Sequence, residues 1–101
     1  MLLKKIENTK ESLVESYYDS SNVLKSIYHK ATQDLDIVFK RGAVYRYRNV
    51  PPKTAEEFEK DSSQGKYLNN VLRKNHETSK IVNVNTLHLI EHIQRLKEQN
   101  N

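Results

Sequence analysis

The sequence predicts an α+β fold: a three-stranded antiparallel meander with two short helices on one face, plus an amphipathic helix at the N- and C-terminal ends. Three observations predict it. Leu35, Ile37 and Phe39 alternate along one face of a strand, and Gly42 marks a turn into a second strand, Ala43 to Val50. Pro51-Pro52 stops that strand and is followed by helical patterning. Both ends of the chain show apolar residues at helical spacing.

Taken in order, Leu2, Ile6, Leu13 and Tyr17 form a stripe opposite Glu7, Glu11 and Glu15, which reads as an N-terminal helix over residues 1–19. Asp19-Ser20-Ser21-Asn22 breaks it. Val23 to Tyr28 reads as a short strand and Lys30 to Gln33 as a turn. The register of the next hairpin follows from charge. A two-residue loop would put Arg46 and Arg48 on the apolar face with Leu35 and Ile37, a costly burial of two cations. A three-residue loop, Lys40-Arg41-Gly42 with Gly42 left-handed, pairs Phe39 with Ala43, Ile37 with Tyr45 and Leu35 with Tyr47. It also sets Asp36 against Arg46 and Asp34 against Arg48.

Thr54 and Glu57 have the spacing of a capping box, so a helix is expected to run to about Asp61. Ser62 to Gly65 breaks it, and Lys66 to Lys74 resumes with Tyr67, Leu68, Val71 and Leu72 as its apolar side. Residues 75–82 read as a linker with a short extended piece at Lys80-Ile81-Val82. A C-terminal helix over 84–99 starts near Asn85, with Leu89, Ile93 and Leu96 as its stripe. Residues 1–101 form one domain on this reading, with a core over 20–76 between the two terminal helices.

Charge is distributed unevenly. Residues 36–53 carry Lys40, Arg41, Arg46, Arg48 and Lys53 against Asp36 alone, and the segments on either side are each neutral, so this stretch holds the whole net charge of +4. One basic hairpin on a neutral protein points to a polyanionic partner. The absence of Cys excludes disulfides and thiolate metal sites. No apolar run approaches membrane-spanning length, and Met1-Leu2-Leu3-Lys4-Lys5 lacks the apolar core of a signal peptide, so a cytoplasmic protein without membrane contact is expected.

Ser21-Asn22-Val23, Leu35 to Phe39, Val44-Tyr45-Arg46-Tyr47 with Val50-Pro51, and Ser63 to Asn69 together resemble the KTSC domain family. That family is named for the C-terminus of some lysyl-tRNA synthetases and also occurs as small stand-alone bacterial and phage proteins. The resemblance implies an α+β domain and an RNA-binding role, and it brings no catalytic residues. Arg41 stands where the family's hairpin favours Asn or Asp before Gly.

Chemistry-bearing patterns are few. Tyr45 and Tyr47 alternate with Arg46 and Arg48, which suggests a stacking platform for bases, but alternation sends the two pairs to opposite faces. The tyrosines are expected to face inward. Ser62 to Lys66 precedes a helix without the spacing of a phosphate-binding loop. His88-Leu89-Ile90-Glu91-His92 matches a zinc-peptidase signature, with no third ligand and no supporting domain. No nucleophile with a partnering base and no paired carboxylates appear, so no enzyme, no metal and no cofactor are expected. The expected nucleic-acid contacts are Lys40, Arg41, Arg46, Arg48, Lys53 and Lys66. The alternative is a phage or bacterial accessory protein, monomer or homodimer, that grips another protein through its terminal helices and basic hairpin.

Overall fold

A computed structural model describes residues 1–100; Asn101, the last residue of the expected single domain, lies outside the described residues. Six strands form one antiparallel sheet in sequential order, β1 (Leu2–Asn8), β2 (Leu13–Tyr18), β3 (Val23–His29), β4 (Asp34–Phe39), β5 (Ala43–Tyr47) and β6 (Thr78–Asn83). Between β5 and β6 lie α1 (Pro52–Lys60) and a helical run, α2, made of Gln64–Tyr67, a π-helical Leu68–Leu72 and Arg73–Asn75. The chain ends in α3 (Leu87–Gln99). The α+β class stands, but the sheet has six strands rather than three.

The first correction concerns residues 1–19, which form the β1–β2 hairpin instead of a helix. Along β2, Val14, Ser16 and Tyr18 are buried, and Tyr17 is buried on the opposite face. A strand with both faces covered satisfies apolar residues at almost any spacing, so the helical stripe was a coincidence of composition. Ile6, a member of that stripe, is 39% exposed. The turn carries the missed signal: Asn8 Oδ1 accepts the Glu11 N–H at 3.1 Å, and Ser12 is left-handed at φ 56°.

The β4–β5 register agrees with the three-residue loop. Leu35 faces Tyr47, Asp36 faces Arg46 and Ile37 faces Tyr45, with Gly42 at φ 103°. A Cβ on Gly42 would also come within 2.6 Å of the Val84 carbonyl oxygen, so glycine is required twice over. The linker expected at 75–82 is mostly β6, which pairs with β5 from Thr78 to Asn83. Helix α1 begins at Pro52 rather than at a Thr54 cap, because a proline in the first turn needs no N–H partner.

The two faces of the sheet are covered differently. Helices α1 and α2 close the first face over Val23, Leu35, Ile37, Phe39 and Tyr47, with Phe58, Leu68 and Leu72 from the helices. Helix α3 lies on the second face, where Ile93 and Leu96 meet Tyr17 and Leu24, flanked by Leu3. Leu3 and Leu24 are the extra residues of two β-bulges, between Leu2 and Lys4 and between Val23 and Lys25. A bulge sets two residues against one and turns the extra side chain out of strict alternation, which here supplies the seat for α3.

Candidate nucleic-acid interface

Beyond α3, the second face carries a compact ion network. Arg46 donates from Nε to Asp36 Oδ1 at 2.8 Å and from Nη2 to Asp36 Oδ2 at 2.9 Å. His29 Nε2 lies 2.9 Å from Asp36 Oδ2, and Asp34 Oδ2 lies 3.8 Å from Arg46 Nε. Burial alone would raise the Asp36 carboxyl, but the hydrogen bonds from Arg46 and His29 outweigh it and hold the group below its ordinary value. Arg46 is raised in return, chiefly by its bond to Asp36. Arg48 does not meet Asp34 as expected. Its Nη1 donates to Ser79 Oγ at 2.9 Å and stands 4.0 Å from Glu77 Oε1, because β6 supplies neighbours on its other side. Both arginines therefore serve the sheet.

On the first face, alongside the β4–β5 hairpin from its turn at Arg41 to Tyr47, Phe39, Arg41, Tyr45, Tyr47, Arg73 and Thr78 line a cavity of about 270 Å³. Two others on the molecule are near 160 and 140 Å³. Phe39 is buried at the base, and Tyr45 packs edge-on against it with ring centroids 5.7 Å apart. The Arg41 guanidinium lies 5.7 Å from the Phe39 ring centroid, a cation–π contact that aims a charge over an aromatic wall. No carboxylate lines the cavity, and neither Arg41 nor Arg73 has an ion-pair partner among the described residues. The register sets exposed Lys80 directly across from Tyr45 on the same face.

The structure thus brings only Arg41, of the six expected cations, to this cavity. Lys40 lies in a groove with Ser20, Leu24 and Lys97 beside α3, and its carbonyl accepts from the Thr86 hydroxyl at 2.9 Å. Lys53 is exposed in the first turn of α1. Lys66 is exposed in α2, and its backbone N–H donates to the capping Ser63 hydroxyl at 3.3 Å, so the Ser62–Lys66 segment caps its own helix. His92 of the zinc-like signature stacks edge-on with Tyr17 at 5.2 Å, and no group of three His, Cys, Asp or Glu side chains converges among the described residues. Sequence reading missed Arg73 and Thr78. Arg73 is adjacent to Leu72 on α2, and only the docking of α2 on the sheet reveals which way it stands. The unassigned β6 concealed Thr78.

Comparison with known proteins places the chain. The sequence profile of the KTSC domain matches residues 19–76. An uncharacterised protein of Stutzerimonas stutzeri (strain A1501) is 35% identical over 57 residues, which is 55% of this chain and 80% of that protein. The crystal structure of a KTSC domain protein from Yersinia pestis superposes with a TM-score of 0.64 at 25% identity, covering 67% of this chain and 96% of that one.

Proposed function

This chain belongs to the KTSC domain family, and we propose that it is a small non-enzymatic module that binds RNA, or another nucleic acid, at the cavity beside its β4–β5 hairpin. The observation that carries this reading is the presence of Arg41 and Arg73, both without carboxylate partners among the described residues, around one cavity with half-buried Tyr45 on its wall and buried Phe39 at its base. Cations that are already ion-paired attract a phosphate chain weakly, whereas unpaired ones release counterions when it binds. Arg46 falls out of the expected interface for that reason, and Arg48 stands apart from the cavity with its guanidinium bonded to Ser79. Lys40, Lys53 and Lys66 are exposed and extend the positive surface around the hairpin and helices. The module works in the cytoplasm on this reading; none of its described helices is long and apolar enough to cross a membrane.

The rival grip by two terminal helices loses its N-terminal half, since residues 2–18 form the β1–β2 hairpin, and the apolar stripe of α3 is occupied by the sheet. The test is fluorescence anisotropy of a labelled mixed-sequence RNA against increasing salt. The logarithm of affinity should fall linearly with the logarithm of salt concentration, and Arg41→Glu should weaken binding to all sequences alike. Binding that ignores salt, or no binding to any RNA or DNA, would overturn the reading.

A further inference from the structure

The cavity has a third component besides its aromatic wall and cationic rim. Three tyrosines are nearly inaccessible on the first face: Tyr18, Tyr28 and Tyr47. Tyr18 shares a hydrogen bond with the Ser26 hydroxyl at 2.7 Å, and Tyr28 donates to the Val50 carbonyl at 2.7 Å. Tyr47, only 1% exposed, has no such partner among the described residues. Yet no buried side-chain oxygen or nitrogen there is left unsatisfied. By elimination the Tyr47 hydroxyl keeps a sliver of solvent access, and the space that Tyr47 lines is the cavity. Exposed Thr78 also lines the cavity. A phenol that is otherwise fully packed presents one directional donor and acceptor to whatever enters.

From this arrangement we infer that the cavity takes one unpaired nucleotide of single-stranded RNA. Its base lies against Tyr45 with a polar edge toward the Tyr47 hydroxyl, and its phosphates meet Arg41 and Arg73. The inference rests on the nucleic-acid reading and narrows it. A duplex keeps its base faces stacked and its edges paired, so it can meet the arginines but cannot fill the aromatic space. A volume of about 270 Å³ is just below the range of roughly 300 Å³ and upward that holds whole small molecules, which suits one base rather than two. The cavity carries positive charge and no acid, which matches a base linked to phosphate and opposes a cationic aromatic group.

The test compares four probes by anisotropy or competition at one salt concentration: a single-stranded RNA decamer, the same strand annealed to its complement, a decamer with abasic sites throughout, and free nucleoside monophosphates. The single strand should bind best, with the abasic strand and the duplex weaker by about tenfold or more, the scale of losing one stacked base. Tyr47→Phe keeps the ring and removes only the hydroxyl. It should reduce single-strand affinity several-fold and leave abasic-strand affinity unchanged, whereas Arg73→Gln on the exposed helix surface should weaken both equally. Equal binding of the abasic strand or the duplex overturns the inference and leaves the broader nucleic-acid reading standing. Free monophosphates binding as tightly as the strand would also overturn it, because the strand would then be dispensable. Binding of none of the probes overturns both.

Discussion

Arg41 and Arg46 belong to the same hairpin and end on opposite sides of one sheet, with opposite roles. Arg46 is clamped by two hydrogen bonds to the buried Asp36 carboxylate, with His29 and Asp34 beside it. Arg41 meets only the face of Phe39 and the space in front of it. The difference teaches that a run of basic residues in sequence is not one interface. A strand deals its cations to two faces, and each face has its own supply of acids. On the second face that supply neutralises Arg46; on the first, among the residues that line the cavity beside Arg41, there is none.

Four variants probe this contrast. Phe39→Ala should have the largest effect, a destabilisation of about 4 kcal/mol in chemical denaturation, because the cavity's base is fully packed core. A cost near zero would mean that the aromatic wall is a surface feature and that the two faces are less different than described. Gly42→Ala should follow at about 2.5 kcal/mol, since both its positive φ and its contact with the Val84 carbonyl oppose a side chain. An innocuous alanine there would show that the turn shifts freely, and with it the placement of Arg41.

Arg46→Gln should cost about 2 kcal/mol at neutral pH, because it leaves the buried Asp36 carboxylate with His29 as its remaining close hydrogen-bond partner. The pH dependence has a definite sign. The Asp36 pKa is lowered in the folded state, so its contribution is present above the ordinary value of 3.8 and is lost as pH falls through the lowered one. The gap between wild type and Arg46→Gln should therefore close below about pH 4. A gap that persists in acid would assign the cost to packing rather than to the ion pair. Arg41→Gln should change stability least, by under about 0.5 kcal/mol, while weakening RNA binding. Equal destabilisation by Arg41→Gln and Arg46→Gln would erase the contrast.

The hairpin at the centre of the molecule was legible because its causes are local. Alternation of Leu35, Ile37 and Phe39, the cost of burying Arg46 and Arg48, and the need for glycine at a left-handed turn all act within sixteen residues of chain, and together they select one register. The stripe of α3 was legible for a similar reason: Leu89, Ile93 and Leu96 repeat with the helix and need only some apolar surface to meet. The family followed from the same central segment.

Residues 2–18 were illegible because their preference is not local. Leu2, Ile6, Leu13 and Tyr17 suit a helix in isolation, and what makes them strands is the edge of β3, onto which β2 adds, with α1 and α3 covering opposite faces. The strand at Thr78–Asn83 depends likewise on the free edge of β5. By itself the sequence determined the class, the central register and the basic hairpin, all set by short-range sterics and charge. Tertiary structure alone decided the sheet's outer strands, the fate of each arginine and the placing of Arg73 and Arg41 around one cavity. Those depend on which distant surfaces are buried together, and burial is a property of the assembled layers rather than of any stretch of chain.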